Sequence, residues 1–346
     1  MNLKTLFNKN LIKKDLKIVK WLIVIATIIL FVCVPMQNIT YLNEITYLDP
    51  ASSEYDYNEE IHDMGWIITQ TLEHLSDNPI QAIVVVLIPI AVAVVLMGGE
   101  RRQKTLDLLH VMPYTKEQIY INKIITGMIA IITPYLINMI ITFIMRATIT
   151  GLEGVYSYTL ILEWALNSMV LALLYFSFTI LMGTIFGNSS AQIVLTVIFM
   201  IFPYGFTGLL AWNVRMLNIG RLYYAFDPVL HTMQLFTLPF YIDPYGVWPF
   251  SLTTIKYIPI FLTVSMLIGG YILFKKNKME RNGEVLLFSK METFFKFGVS
   301  RCTMLLFGAL FVQIVGSIGF IVGYPMGIIV GWIVPKYFIG LSKAGR

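Results

Sequence analysis

Long apolar runs separated by short polar segments dominate this chain from residue 18 onward. A helix needs about 20 mostly apolar residues to cross the hydrocarbon core of a bilayer. Eight stretches satisfy this requirement, and they lie approximately at residues 18–36, 80–98, 123–146, 163–187, 191–211, 257–274, 301–320 and 321–338. The pattern predicts an all-α integral membrane protein with about eight transmembrane helices, of which the last two form a tight hairpin around residues 319–325.

The composition agrees with this interpretation. Hydrophobic residues make up 57% of the chain and charged residues only 13%, whereas soluble domains carry about 25% charged residues. We therefore expect a multi-pass protein of the cell membrane that is surrounded by membrane lipids.

The basic residues indicate the orientation, because loops rich in lysine and arginine stay in the cytoplasm. Most of the 25 basic residues fall before the first run, between the second and third, between the sixth and seventh, and after the eighth. The remaining ones are Arg146, Arg215, Arg221 and Lys256. This distribution predicts a cytoplasmic N-terminus, an acidic outer loop at residues 37–79 and an outer aromatic loop at residues 212–256. The net charge of +5 follows from membrane orientation and does not favour a nucleic-acid partner.

Residues 1–17 precede the first run and alternate apolar residues with lysines. Leu3, Leu6, Phe7 and Leu11 are spaced so that they share one side of a helix. Such a pattern is typical of an amphipathic helix that lies on the membrane surface, here on the inner leaflet.

The stretch Gly-Gly-Glu-Arg-Arg-Gln-Lys-Thr, residues 98–105, is one residue short of a phosphate-binding loop. Gly98, Lys104 and Thr105 fit the pattern, but Gln103 stands where the second glycine belongs. That glycine lets backbone N–H groups approach the phosphates between a buried strand and a helix. Because the preceding residues form a membrane span instead of a strand, we expect no nucleotide site on this chain.

A helical hairpin is predicted for residues 98–122, on the cytoplasmic surface between the second and third spans. A first short helix ends at Pro113, because proline interrupts the helical hydrogen bonds. Thr115 then begins a second helix, and Gln118 stands three residues later, as in a capping box. The alternative to a helical hairpin is a solvated basic loop whose lysines and arginines only determine the membrane topology.

The spacing of residues in this hairpin resembles the permease subunits of ABC-2-type exporters. Their connection after the second span reads approximately E-(R)-x-x-x-T-L-x-x-L-L-x-x-P-x-[ST]-x-x-x-I-x-x-x-K. The residues at the pattern positions are Glu100, Arg101, Thr105, Leu106, Leu109, Pro113, Thr115, Ile119 and Lys123, and Leu108 adds an apolar residue beside Leu109. The sequence departs from the family at Lys104, where many members have glycine, and at His110, where the pattern has leucine. The resemblance implies that these residues bind a separate ABC ATPase subunit and transmit its closure.

The same resemblance extends more loosely over residues 18–274, which would form a six-span permease core. It implies that ATP and Mg²⁺ bind the partner subunit, that a second permease chain completes a homodimer or heterodimer, and that spans two and five line the path. In the family the position of the outer aromatic loop holds short re-entrant helices. An aromatic belt at the membrane interface is the alternative.

Two segments follow this six-span core in the sequence. Residues 275–300 carry apolar side chains among lysines and are expected to form a cytoplasmic surface segment, either interfacial or partner-binding. Residues 301–346 contain the C-terminal transmembrane hairpin and a tail.

Charges inside the membrane are costly and usually functional, and the predicted spans carry few of them. Arg146 and Glu163 lie at span ends, and no span core carries an acidic or histidine relay. This argues against a proton-coupled carrier and favours an externally powered path. The outer-loop residues Glu59, Glu60 and His62 match no recognised zinc pattern, so we expect neither a metal nor a catalytic residue.

These observations lead to one principal hypothesis. The chain is expected to be the non-catalytic transmembrane subunit of an ATP-driven exporter that moves an amphipathic substrate, such as a peptide antibiotic or a lipid. The alternative is a membrane sensor or scaffold that binds a ligand through its outer loop without transport.

Overall fold

The structure is a computed structural model that describes residues 8–47, 65–73, 78–102, 114–149, 152–217, 220–242, 252–277 and 286–344. Within these ranges the chain is almost entirely helical, apart from one isolated bridge between Phe186 and Leu286. The chain divides into two compact units. The first consists of Met1–Leu96, Tyr114–Phe178 and Pro259–Ser265, and the second of Met97–Pro113, Thr179–Ile258 and Met266–Arg346.

Twelve α-helices within the described ranges are numbered in chain order. They are α1 (Lys9–Cys33), α2 (Pro35–Tyr47), α3 (65–73), α4 (Pro79–Arg102), α5 (Lys116–Thr148), α6 (Leu152–Val155), α7 (Tyr158–Ile185), α8 (Ser189–Met216), α9 (Gly220–Gln234), α10 (Leu252–Lys276), α11 (Ser289–Val315) and α12 (Gly319–Ala344). Short 3-10 helices follow α9 at Leu238–Tyr241 and join α11 to α12 at Gly316–Ile318.

The predicted all-α membrane fold is confirmed. Among the described residues, seven stretches are long and apolar enough to cross a membrane. The last of them, Glu292–Tyr337, contains both α11 and α12. Spans one to eight therefore correspond to α1, α4, α5, α7, α8, α10, α11 and α12.

The first helix begins earlier than the predicted first span. Asn8 caps α1, and its side-chain oxygen accepts hydrogen bonds from the backbone N–H groups of Asn10 and Leu11. From there α1 runs without interruption to Cys33, because no glycine or proline separates its lysine-rich start from the apolar run. The described part of the expected surface helix is thus continuous with span one, and residues 1–7 lie outside the described ranges.

In the first unit, α1 lies along α5, and α7 is the most buried of the spans. The side-chain amide of Asn138 on α5 donates to the carbonyl of Thr27 on α1 at 3.2 Å. On α7, Trp164 and Phe176 are buried, and the ring of Phe176 occupies the space that a side chain at Gly127 of α5 would need. Polar side chains and close contacts therefore join these helices where few charges are present.

Arg146 organises the C-terminal end of α5. Its Nε donates to the carbonyl of Tyr156 at 2.6 Å, and its guanidinium lies 3.9 Å from the centre of the Tyr158 ring. The hydroxyl of Tyr156 donates to Asn38 Oδ1 at 3.0 Å. Burial raises the pKa of Tyr156 to about 12, although Arg146 and the Asn38 hydrogen bond oppose the rise. The arginine thus binds the α6–α7 connection to the end of α5.

Several helices contain a proline that is followed four residues later by a hydrogen-bonding side chain. In each case the Thr hydroxyl or Asn amide donates to the proline carbonyl. The pairs are Pro134 and Asn138 at 2.9 Å, Pro203 and Thr207 at 2.9 Å, Pro228 and Thr232 at 2.8 Å, and Pro259 and Thr263 at 2.7 Å. Proline removes a helical hydrogen bond, and such back-bonding favours bending. These positions are therefore natural bending points.

In the second unit, α11 and α12 form a hairpin whose backbones touch. Gly323 and Gly327 of α12 lie so close to α11 that an added Cβ atom would come within 2.7 Å of the Phe307 carbonyl and 2.5 Å of the Thr303 carbonyl, respectively. Small residues at four-residue spacing permit this approach between membrane helices. Gly316 in the connecting turn has φ of 71°, a conformation that favours glycine.

Candidate functional site

The candidate site is the segment between α4 and α5, residues 100–123, which we call the coupling segment. The structure describes both of its ends. Residues 103–113, which include the predicted site residues Thr105, Leu106, Leu108, Leu109 and Pro113, lie outside the described ranges. For Glu100 and Arg101 only the helical backbone of α4 is described. Their roles stay predictions.

Thr115 begins α5 with the predicted capping box. Its hydroxyl accepts from the backbone N–H of Gln118 at 3.2 Å, and the Gln118 side-chain oxygen accepts from the backbone N–H of Thr115 at 2.9 Å. Two N–H groups that the helix itself cannot satisfy are thereby bonded. The cap fixes the point at which the coupling segment ends and α5 begins.

Ile119 and Lys123 follow Thr115 at four-residue intervals and point into the first unit. Both are buried, Ile119 with 1% and Lys123 with 2% of their surface exposed. The ammonium of Lys123 donates to the carbonyl of Leu96 near the C-terminal end of α4. A cation in this position also interacts favourably with the helix dipole. In this structure these two residues join α5 to its neighbours and form no part of an exposed surface.

A second contact at the same end was not predicted from the sequence. The side-chain oxygen of Asn122 accepts from the backbone N–H of Asn8 at 3.1 Å, while its amide donates to the Gln118 carbonyl at 2.6 Å. Since Asn8 is also the cap of α1, the start of α1 is fastened beside the start of α5. No spacing rule identifies such a pair, because it depends on which helices pack together.

Asp15 on α1 is another buried polar residue that the sequence analysis missed. It is 1% exposed, and Lys14 Nζ lies 3.9 Å from its carboxylate. A buried carboxylate requires hydrogen-bonding or charged partners. The start of α1 therefore carries lysines on its exposed face and a carboxylate on its buried face.

In the second unit, the end of α4 packs against the connection between α7 and α8. An added Cβ atom at Gly98 would lie 2.9 Å from Ser189 Cβ, and one at Gly183 would lie 2.7 Å from Gln192 Nε2. Gln192 also donates to the Thr179 carbonyl at 3.0 Å. Gly98, which resembled a phosphate-loop glycine, has a packing role here: it lets α4 approach the first turn of α8.

The described residues contain no group of three or more His, Cys, Asp or Glu side chains that could hold a metal ion. The outer-loop residues Glu59, Glu60, His62 and Asp63 lie outside the described ranges. Cys33 and Cys302 are free cysteines.

The fold and the site define a multi-pass helical membrane protein whose second and third spans are joined by Lys123. The family model described as ABC-2 family transporter protein matches residues 9–279. The chain belongs to this family, and it is a permease subunit of an ABC transporter of the cell membrane. The α11–α12 hairpin lies beyond the matched residues.

Two curated relatives support this assignment. The probable ABC transporter permease YtrD of Bacillus subtilis (strain 168) is 26% identical over 251 residues, which cover 72% of this chain and 75% of the relative. The probable ABC transporter permease YtrC of the same organism is 23% identical over 261 residues, 73% of each chain. No solved structure matches this chain.

Proposed function

We propose that this chain is the non-catalytic transmembrane subunit of an exporter, that its coupling segment docks a separate ATPase chain, and that ATP hydrolysis on that partner drives an amphipathic substrate out through the membrane. A second permease chain completes the complex. In this proposal ATP and Mg²⁺ bind the ATPase.

One observation carries the proposal: the coupling segment is bounded by helices that are fastened to each other. Lys123 of α5 holds the Leu96 carbonyl of α4, and the capping box at Thr115 fixes the first turn of α5. Because the segment is held at both ends, a movement of the docked ATPase can be transmitted through it to the membrane spans. A loose loop would absorb that push by changing its own shape.

The nature of the substrate is inferred from the spans. Their described interiors are apolar and poor in charge, and a small ion would find few groups there to replace its water. A molecule with an apolar portion would gain from the same surroundings. Peptide antibiotics and lipids have this character.

The docking test uses substitutions within the coupling segment. Leu109→Asp places a charge where the family pattern has an apolar contact, and Glu100→Ala removes the acidic residue. We expect each variant to insert into the membrane but to lose the co-purifying ATPase, or to lose its stimulated ATP hydrolysis. The matched control is Leu217→Asp, which makes the same chemical change at an exposed residue beyond the outer end of α8.

Normal co-purification and hydrolysis in both variants would overturn the docking assignment. Failure of the parent chain to co-purify any ATPase would favour the sensor or scaffold alternative. The purified chain alone should neither bind nor hydrolyse ATP, and Lys104→Ala should leave that result unchanged. Stoichiometric ATP binding that Lys104→Ala abolishes would place the nucleotide site on this chain instead.

A further inference from the structure

Helix α8, span five, has a bending point near its middle. Pro203 interrupts the helical hydrogen bonds, and the Thr207 hydroxyl donates to the carbonyls of Pro203 at 2.9 Å and Tyr204 at 3.0 Å. Proline together with such back-bonding weakens the resistance of a helix to bending. We call residues 189–202 the inner segment of α8 and residues 204–216 its outer segment.

The outer segment has a first attachment immediately after the bend. The hydroxyl of Thr237 accepts from the backbone N–H of Tyr204 at 3.1 Å and donates to the Met233 carbonyl at 2.8 Å. The ring of Phe240 meets the Tyr204 ring edge to face, with centres 4.8 Å apart. Thr237 is buried, so this contact belongs to the packed interior of the unit.

Thr237 contacts α8 at Tyr204, well before the C-terminal end of α8, so the chain must turn back after α8 to reach this point. At 1.5 Å per residue, Tyr204 lies about 18 Å from the C-terminal end of α8. The 15-residue helix α9 is about 22 Å long by the same rise, so it spans this distance on its return. The segment from α9 to Tyr241 therefore turns back along the outer segment, an arrangement that favours the re-entrant interpretation of the outer aromatic loop.

The outer segment has a second attachment near its end, at Asn213. The amide of Asn213 donates to the Leu209 carbonyl at 2.7 Å and to the Leu305 carbonyl of α11 at 3.1 Å. Its side-chain oxygen accepts from the Tyr324 hydroxyl of α12 at 3.1 Å. Gly308 leaves room for this group, because an added Cβ atom there would collide with the Tyr324 ring and lie 3.2 Å from Asn213 Oδ1. One buried amide thus joins α8 to both helices of the C-terminal hairpin.

The inner segment is attached differently. Its first residue, Ser189, lies against Gly98 at the end of α4, where the coupling segment begins. Further along, Val194, Val197 and Ile198 are exposed. The inner segment therefore contacts the end of α4, where the coupling segment begins. The outer segment contacts the C-terminal hairpin and the segment from α9 to Tyr241.

We propose that Asn213 and Thr237 are positioning residues that hold the outer segment of α8 in place, so that α8 bends at Pro203 and only the inner segment follows the coupling segment. The C-terminal hairpin, which lies beyond the family-matched residues, is the anchor for this motion. The inference rests on the proposed function, since the ATPase supplies the push.

The test measures distances in the complex of the full chain with its ATPase, in a background lacking Cys33 and Cys302. Spin labels at Val194 or Trp212 are each paired with a label at Leu310 on α11, and the labelled chain is diluted with unlabelled chain. All three residues are exposed. Without and with ATP, we expect the distance from 194 to 310 to shift and the distance from 212 to 310 to stay constant.

The variants then release the outer segment. Asn213→Leu combined with Thr237→Val should make the distance from 212 to 310 shift as well when ATP is added. Tyr324→Phe removes only the hydrogen bond from the Tyr324 hydroxyl to Asn213. It should shift the distance from 212 to 310 less than the combined variant does. Thr237→Ser keeps the hydroxyl and should behave as the parent, as should the control Tyr257→Phe at an exposed tyrosine of α10.

Two outcomes separate the proposals. A parent complex that hydrolyses ATP but moves residue 212 together with residue 194 overturns the anchored outer segment, as does a combined variant that keeps the constant distance. A parent chain that forms no active complex with an ATPase overturns the proposed function itself.

Discussion

Two pairs of neighbouring helices in this protein are joined by opposite means. The α11–α12 pair is joined backbone to backbone through glycines, whereas the α4–α5 pair is joined through the side chain of Lys123. A small cavity of about 10 Å³ also lies among α1, α4 and α5, with room for roughly one water molecule. Its lining residues are Ala26, Val84, Ile88, Pro89, Ala130, Ile131, Pro134 and Tyr135.

The difference indicates which pair is able to move. Backbones in contact leave little space for the side chains between them to change rotamer, so we expect α11 and α12 to move as one body. The α4–α5 pair has a long flexible side chain at its contact and a space nearby. We infer that α4 and α5 stay joined at Lys123 but adjust their packing around this contact during the cycle, while the C-terminal pair keeps its packing.

The largest expected effect comes from breaking the backbone contact. Gly327→Leu forces a side chain against the Thr303 carbonyl, and overpacking of this kind costs up to about 3 kcal/mol. We expect a marked loss of thermal stability in detergent, measured by the melting of the purified protein. The control is Gly340→Leu on the same helix, where an added Cβ atom meets nothing within 4 Å. Equal melting temperatures for the two variants would contradict the rigid-pair interpretation.

An intermediate effect is expected at the side-chain contact. Lys123→Met keeps the length of the side chain but removes the ammonium that binds the Leu96 carbonyl, and a hydrogen bond to a charged group contributes about 1.5–3 kcal/mol. ATPase docking should persist, but stimulation of hydrolysis should fall. Lys276→Met, at an exposed lysine, serves as the control. A variant at Lys123 that stimulates the ATPase like the parent would show that the clamp is not needed.

The smallest effect is expected at the start of α5. Thr115→Ala removes the cap of its first turn, and the loss of such a cap costs about 1 kcal/mol. Hydrogen exchange should increase in the first turn of α5 and remain unchanged in α12. Thr115→Ser, which keeps the hydroxyl, should restore protection. Faster exchange throughout α5 and α12 would instead indicate global destabilisation.

The long apolar runs were sufficient to predict the helices, because a membrane requires about 20 apolar residues for each span. Their ends were less predictable. The third span was expected from residue 123, yet α5 begins at Lys116, since its first turns are polar and are stabilised by the cap and by burial of Ile119. Hydropathy reports the lipid-facing length of a helix, and its caps determine the full length.

The contacts of the site were predicted only in part. The capping box at Thr115 is local in sequence and was predicted, whereas the pairing of Asn122 with Asn8 depends on the packing of α1 against α5. The glycines of α12 recur every four residues in the sequence, but their partner helix becomes evident only from the hairpin geometry. Buried amides such as Asn213 carry no sequence signal of their own.

The amide of Asn213 also has a consequence for biosynthesis. Its partners on α11 and α12 follow it by 92 and 111 residues along the chain. At synthesis rates of about 5–20 residues per second, α8 waits on the order of 5–20 s in the membrane before the Leu305 carbonyl and the Tyr324 hydroxyl arrive. During that time the Asn213 amide keeps its bond to the Leu209 carbonyl of its own helix, while its partners on α11 and α12 are still missing. A chain that ends before residue 305 would therefore leave α8 without the hydrogen bonds that join it to the C-terminal hairpin.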